Sequence, residues 1–568
     1  MTIQRDSRDP LEAAPEAAAP QVTPRLVIDH QGVAAGPASE VPGATRGGSI
    51  TLLADAPPEH MDPAQTYIGT TLAVATAFFH RTLTGYQEDP DSHVLTLVGD
   101  LATNAGRTND HGLTWTYTLR EGLAFEDGTP ITSADVAHAV ARSFSELGTY
   151  GPQFIQRALD PERTYRGPGE DDLPAPGVST PDERTIVFRL AEPHPDFPFF
   201  AATTTTTPVP ADRDTGAGYN TAWLSTGPYR LRDAEPGEYF VLERNPHWQA
   251  ASDPIRRQYV DEIRWQFGVD RAAQTRRLAD VSAADTTAVA TTDVAPEEIL
   301  AVQVDPEKLR RVLDGPTAYA QYVYINTRRV SDPDVRRALI YAFDRESYVE
   351  AAGGPAAAEP ATTILAPLIP GHRPYDAYPA GPNGDPEKAK RLLAGKTVPK
   401  LRYAFQDIAP LRRLAPVVKA GLERAGFEIE LVPVDRAAYY STVGHRDTDA
   451  DLIWGVWGPD FPDAAGVMDV LFRGDRLTET GNMNLSYFDV PDVSWRLAAL
   501  AKEPDRASAA AGYAELDEEI MTEHAPLIPV FYKRQFSLVG PEVGGLFISS
   551  LYSFPNLTRV HVLPRGTR

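Results

Sequence analysis

The stretch HGLTWTYTLREGLAFEDGTPITSADVAHAVARSF, residues 111–144, decides how the rest of the chain is read. Trp115, Thr116, Tyr117, Thr118 and Leu119 alternate large apolar groups with small polar ones, the period-2 pattern of a half-buried strand. Glu126, Asp127, Gly128, Thr129 and Pro130 form a dense turn signal, with a glycine free to take positive φ. Thr132 then offers a capping hydroxyl and Asp135, three residues on, a carboxylate, which together mark a helix start. Val136, Ala139, Val140 and Phe144 follow on one helical face. The residues predict a strand–turn–helix unit; their polarity alone assigns it no function.

Bulk properties bound the rest. A chain of 568 residues exceeds one ordinary domain, so two or three lobes are expected. With 42% hydrophobic and 23% charged residues it can bury a sizeable core, which excludes a disordered chain. The net charge of −24, with no Lys/Arg cluster, argues against nucleic acid as a partner and for a solvated acidic exterior. The sequence holds no cysteine, which excludes disulfides, thiolate catalysis, cysteinyl zinc and iron–sulfur clusters. No run approaches the roughly 20 apolar residues of a membrane span, and the first residues carry no apolar core of a signal peptide.

Working outward, residues 1–46 are rich in Ala, Pro and Glu and predict a flexible N-terminal arm, a tether or a loosely docked segment. A strand through Ile50 and Leu52 ends at the turn His60-Met61-Asp62-Pro63, and the loop holding Tyr67 and Thr70 leads into a helix through Ala73, Ala77 and Phe78. Residues 184–190 alternate as a strand, and the threonine tract 203–207 predicts a strand or loop. Val335, Leu339, Ile340 and Phe343 form a helical apolar stripe. Beyond it, residues 367–382 read as an irregular loop, 387–393 and 414–425 as helices, and 401–405 and 428–434 as strands, an α/β pattern. No tandem repeat at solenoid spacing occurs.

Enzyme motifs fail on inspection. Gly395-Lys396-Thr397 ends like a phosphate loop, but Lys390 stands where its first glycine belongs. There is no G-x-S-x-G elbow and no H-E-x-x-H, and no two histidines are spaced to share a helix face. The expectation is a protein that is not an enzyme and needs no cofactor or metal.

The wording of residues 111–144 closely resembles the signature segment of the family 5 solute-binding proteins, the oligopeptide- and dipeptide-binding receptors of bacterial ABC importers. That family's phrase runs T-W-T-F-x-L-R-x-G-v-x-F-x-D-G-x-P-l-T-A-x-D-V. Further elements match in order: the strand at Gly47-Gly48 with its Asp62-Pro63 loop, Leu97 to Ala102, Ser225-Thr226-Gly227-Pro228-Tyr229, Asn245-Pro246-His247-Trp248, the helix entered at Asp334, and Ala525 to Phe531. The resemblance implies an α/β fold, the two-lobed periplasmic-binding-protein clamshell (type II, large peptide-binding class) with an additional inserted domain. The expected division is an arm at 1–46, lobe I at 47–87, 201–318 and 530–568, an inserted domain II at 88–200, and lobe III at 319–529. Crossovers near 319–324 and 527–531 would form the hinge.

Trp454-Gly455-Val456-Trp457-Gly458-Pro459-Asp460-Phe461-Pro462-Asp463 resembles the family's G-W-x-x-D-Y-P-D-P segment, with Phe461 for the usual Tyr and Ala464 for the final Pro. The resemblance implies that Asp460 pairs with a ligand α-ammonium and that Trp457 lines the pocket, with Phe461 beside them. A buried ammonium needs a carboxylate to offset lost hydration, and a tryptophan wall adds apolar area and cation–π contact. Read without the resemblance, Asp460 and Asp463 are equally well turn residues beside Pro462, with Trp457 in the core. Tyr67 and Thr70 on the cleft loop are a second ligand-binding group, Tyr439 and Tyr440 a third. No basic residue stands out as partner for a ligand carboxylate. The implied function is that of an extracellular, monomeric substrate-binding component of an ABC importer that delivers peptides or peptide-like solutes to a membrane permease. The precursor would be lipid-anchored, its signal segment and lipid-bearing Cys absent from this sequence. A binding protein of the same fold for a dedicated oligosaccharide or specialised metabolite, and a cytoplasmic enzyme or biosynthetic accessory, are the rival readings.

Overall fold

A computed structural model describes residues 26–171 and 174–564. In chain order, β1 (Leu26–Ile28) and β2 (Ser49–Leu53) precede α1 (Gly69–Phe78), then β3 (Thr84–Glu88) and β4 (Leu95–Gly99). The signature segment follows as β5 (Thr114–Thr118) and α2 (Ser133–Arg142), as its polarity pattern predicts. The Asp135 carboxylate accepts from the Thr132 backbone N–H at 2.7 Å and its hydroxyl at 2.8 Å, so the helix starts where the capping residues put it. After α3 (Phe154–Leu159) come β6 (Val178–Asp182), β7 (Thr185–Arg189) and α4 (Phe197–Phe200). Antiparallel pairing orders one small sheet β5-β7-β6, and a second runs β1-β4-β3.

The next strands are β8 (Tyr229–Glu235), β9 (Tyr239–Arg244), β10 (Glu262–Gln266) and β11 (Ala288–Ala290). They join β2 in a five-stranded sheet ordered β11-β2-β10-β9-β8 around a core of Ile50, Leu52, Val74, Phe78, Ile263 and Trp265. Next come β12 (Val312–Ile325), β13 (Ala358–Pro360), β14 (Leu401–Gln406), β15 (Ile429–Val434), β16 (Leu452–Trp457) and β17 (Leu527–Leu538). They make a six-stranded sheet ordered β13-β17-β12-β16-β14-β15, flanked by helices that include Pro333–Ala342 and Ala409–Glu423. The chain therefore has two sheet-centred lobes, with the β5-β7-β6 unit inserted before the first is complete.

Two long antiparallel strands connect these bodies. The outer part of β12, Val312 to Pro316, pairs with Leu538 to Arg534, and its Leu313 enters the five-stranded sheet's core. Its inner part, from Ala320 on, pairs with Tyr532 to Leu527 and with β16 inside the six-stranded sheet. The register breaks between Pro316 and Ala320 and again between Gln321 and Tyr322. Such bulges bend and twist a strand pair locally.

The N-terminal stretch is decided in part. Residues 1–25 lie outside the described residues, and of the two alternatives for the rest, a flexible tether or a docked segment, 26–46 take the second. β1 pairs in parallel with β4, the Asp29 carboxylate takes the Val33 and Ala34 N–H groups at 3.0 and 2.8 Å, and Ala38 is 4% exposed with its N–H on the Asp253 carbonyl at 2.8 Å. A stretch rich in Ala, Pro and Glu shows no sustained periodicity, whereas backbone hydrogen bonds to a preformed surface need none. Of the two forms expected for the threonine tract, strand or loop, it takes the second, as a buried 3₁₀ turn at Thr204–Thr206.

Candidate ligand cleft

The loop after β2 is pinned before it presents any side chain. Arg142 of α2 donates to both oxygens of the buried Asp62 carboxylate, at 2.5 and 2.9 Å, and also to Asp214 at 3.0 Å. Asp62 Oδ1 accepts the Ala64 N–H at 2.9 Å, and Asn220 Oδ1 accepts those of Met61 and Asp62. The Thr66 hydroxyl returns to the Asp62 carbonyl, and Thr204 from the threonine tract donates to the Thr66 carbonyl at 3.1 Å. With its backbone satisfied this way, the loop projects Tyr67 and Ile68, which are 41% and 47% exposed, from a fixed base.

Facing it is the end of β16. Tyr67 donates its hydroxyl to Asp460 Oδ1 at 2.5 Å, a contact between residues 393 positions apart that joins the two lobes. Burial pushes the Asp460 carboxyl up to about 6, and the Tyr67 hydrogen bond pulls the other way. The Tyr67 phenol is raised by burial and by Asp460, so its proton stays on the phenol. Asp460 Oδ2 has no protein hydrogen-bond partner among the described residues.

Tyr319, in the register break of β12, completes this wall. A Cβ on Gly458 would stand 2.5 Å from its ring, and one on Gly69 3.5 Å from its hydroxyl, so Tyr319 lies between the loop of one lobe and the strand end of the other. Burial and then Asp460 push its phenol up to about 12. Trp457, paired in register with Ala320, is half-buried and donates its indole N–H to the Gly466 carbonyl at 2.9 Å.

The other sequence candidates fall elsewhere. Phe461 is 5% exposed and packs its ring on Phe199 at 5.4 Å, Phe154 at 5.6 Å and Phe200 at 5.7 Å, all from the inserted unit. It locks the two walls together and presents no free face to a ligand. Asp463 is buried, bonded by Arg506 at 2.7 and 2.8 Å and by the Ala465 N–H at 2.9 Å, which makes it structural. Tyr439 is fully buried with its hydroxyl on the Trp454 carbonyl at 2.6 Å, so it is a core residue and not a ligand contact. Tyr440, 39% exposed, meets Tyr439 edge-on at 5.2 Å. Thr70 is exposed in the first turn of α1, with no hydrogen bond from its hydroxyl among the described residues. Sequence reasoning missed Tyr319. It is one of three tyrosines in the run Ala318 to Ile325, and nothing local separates the one beside a bulge from the two in the core, Tyr322 and Tyr324.

Two other concave or polar groups do not join this site. A cavity of about 670 Å³ lined by Arg345, Val349, Pro360, Tyr378, Pro382 and Phe536 shares no residue with it. His445, Asp447 and Glu479 cluster at the surface, but His445 Nδ1 accepts the Asp447 N–H at 3.1 Å.

This geometry, a desolvated carboxylate and an aromatic wall at the seam of two lobes, can be set beside known proteins. Residues 96–478, well over half the chain, match the model of the bacterial extracellular solute-binding proteins, family 5. The chain belongs to this family. Among curated relatives of this solute-binding protein is the probable D,D-dipeptide-binding periplasmic protein DdpA of Escherichia coli (strain K12), 26% identical over 87% of this chain and 90% of its own. Another is the glutathione-binding protein GsiB of Salmonella typhi, 22% identical over 86% and 90%. A solved structure titled clavulanic acid biosynthesis oligopeptide binding protein 2 superposes with a TM-score of 0.86 and 32% identity, covering 96% of this chain and all of that one. The murein tripeptide binding protein MppA of Escherichia coli superposes at 0.71 with 19% identity over 92% of this chain and all of its own, a likeness of fold alone. The architecture is thus the two-lobed α/β binding-protein fold, and the family is one of solute binding, not of catalysis. No helix among the described residues is long and apolar enough to cross a membrane.

Proposed function

We propose that this protein is the substrate-binding component of an ABC importer, which captures a peptide or peptide-like solute between its lobes and delivers it to a membrane permease. The observation that carries the reading is the Tyr67–Asp460 contact: a desolvated carboxylate on one lobe is met by a hydroxyl from the other. Asp460 Oδ2 offers a ligand ammonium a charge-assisted hydrogen bond, about twice as strong as a neutral one. Ionising Asp460 against its burial is repaid only when a cation arrives, so the site selects an amine over a neutral donor. Trp457, Tyr67 and Tyr319 supply the aromatic surround. Contact with both lobes favours the closed form, and the register break in β12 is where the proposed lobes would flex. The relatives' names support a peptide-like ligand.

The proposal extends to an extracellular, lipid-anchored monomer with no nucleic-acid partner. One observation favours a second reading, a dedicated specialised metabolite: the 32% identical solved structure is named for clavulanic acid biosynthesis. Native mass spectrometry of the purified protein, followed by denaturing release, separates the two. A spread of adducts that fragment as peptides supports the first reading, and one discrete non-peptide mass the second.

A further inference from the structure

The cavity of about 670 Å³ set apart from the cleft is walled by both sheet-centred bodies. The first contributes Gln303, whose helix Ile299–Gln303 packs into a core with Leu53 and Ala290, and Phe536, buried in that same core. Asp314 and Arg534 join them from the outer ladder of β12 and β17. The second body contributes Arg345 and Val349 from the helix Arg345–Ala352, Glu359 from the edge strand β13, and Tyr378 from the loop beyond it. β13 pairs with Lys533 to Phe531, and Lys533 is the residue of β17 that faces the register break between Pro316 and Ala320. The cavity therefore sits beside that break.

Its floor and its rim differ in chemistry. Val349, Ala358, Tyr378 and Phe536 are buried, and Tyr378 spends its hydroxyl on the Met521 carbonyl at 2.5 Å, so its ring offers only apolar surface. Of the charged groups, Arg534 is paired with Asp314 at 2.8 Å. Lys533 is turned to Asp293 at 3.5 Å and to Gln535 at 3.2 Å. Glu346, Glu350, Glu359 and Asp376 also line the cavity, and none of them forms an ion pair among the described residues. Asp376 accepts the Tyr378 N–H at 2.9 Å. Against these four carboxylates stands one guanidinium, that of Arg345, which is held by its Nε on the Ala361 and Pro529 carbonyls at 3.1 and 3.0 Å. The concavity thus combines an apolar, partly aromatic floor with an excess of negative charge that the protein leaves unmatched. Its volume falls within the roughly 300–1,000 Å³ of small-molecule sites. Walls of one sign around a low-dielectric floor concentrate the opposite charge, and aromatic faces add attraction for a cation.

We propose that this cavity is a second binding site, separate from the Tyr67–Asp460 cleft, for a small organic cation: an amine or guanidinium on an apolar body. The apolar part lies on the floor between Val349 and Phe536, and the cation meets the carboxylates of the rim. A ligand held this way touches both bodies beside the β12 break and bridges them.

Dansylcadaverine, a primary amine on an aromatic body, probes the site by fluorescence. Its N-acetyl derivative is the neutral control and dansyl-6-aminohexanoate the anionic one. All titrations use the whole chain carrying Asp460→Asn, which removes the carboxylate that could hold an amine in the cleft. The amine should bind at least tenfold more tightly than either control, and adding Glu346→Gln, Glu350→Gln and Glu359→Gln together should abolish that preference. Those three side chains are exposed and unpaired, so the thermal midpoint of the substituted protein should match its parent's. No binding of dansylcadaverine, equal binding of the three probes, or an amine preference that survives the three substitutions each overturns the site. None of these results bears on peptide capture at the cleft, which the adduct masses decide separately.

Discussion

Asp460 is a side chain whose burial costs stability and which, in the proposed site, would serve ligand binding. Its carboxyl is pushed up to about 6 by burial, so at pH 7 the folded protein holds a charge in a place that penalises it. Asp460→Asn should raise the thermal midpoint at pH 7 while weakening binding of an amine-bearing peptide about 10- to 100-fold, the range for a hydrogen bond to a charged group. Calorimetry and titration on the same preparation check both halves. The pH dependence has a definite sign. Below about 6 Asp460 is protonated and must release its proton to accept an ammonium, so affinity should fall about tenfold per pH unit there and level off above 7. Binding heats at pH 5.5 in buffers of different ionisation enthalpy should show proton release; their absence would remove Asp460 from the site.

At the scale of elements, the seam depends on glycine and on phenylalanine. Gly458 lets the Tyr319 ring lie against the strand end, and an added Cβ 2.5 Å from that ring meets a stiff aromatic. Gly458→Ala should cost about 1–3 kcal/mol in urea unfolding, the usual range for overpacking, and the double variant with Tyr319→Ala should regain most of it. The resemblance puts Phe461 in the pocket segment, in place of the family's usual Tyr. The structure gives its ring to Phe154, Phe199 and Phe200 across the seam. Phe461→Ala should shift the population toward open lobes, seen as a larger radius of gyration in small-angle scattering, and weaken ligand binding by the same free energy.

For the whole molecule, titration of buried carboxylates sets the pH of greatest stability. Asp460, Asp469 and Asp517 are each pushed up to about 6 by burial. Their folded forms hold protons that the unfolded chain has released, so stability falls as pH rises from about 4 through 6. Asp253, held at about 2 in spite of its burial by the Arg81 and Arg256 charges, and Asp214, held low by His138 and Arg142, act oppositely. Their contribution is present above the ordinary carboxylate value and is lost only below it. The net charge of −24 at pH 7 adds repulsion in the same direction as the raised group. The thermal midpoint should therefore peak near pH 4–5 and decline toward pH 7; a midpoint that rises steadily from pH 4.5 to 7 would contradict the three raised carboxylates.

What the chain's residues determine without help is local. The alternation at Trp115 to Leu119 makes β5, the Thr132–Asp135 pair starts α2, and the stripe Val335, Leu339, Ile340 makes a core helix, because each depends on neighbours within a few positions. The spacing of motifs along the chain carries the family and hence the two-lobed fold. The tertiary structure alone decided which of several similar side chains faces the cleft. It placed Tyr67 against Asp460, 393 positions away, and sent Tyr439 to the core with Tyr440 at the surface. Those outcomes follow from the breaks in the β12 ladder and from how a loop pinned by Arg142 meets a strand end from another lobe. Such a meeting is set by the packing of whole bodies, and no short window of sequence contains both partners.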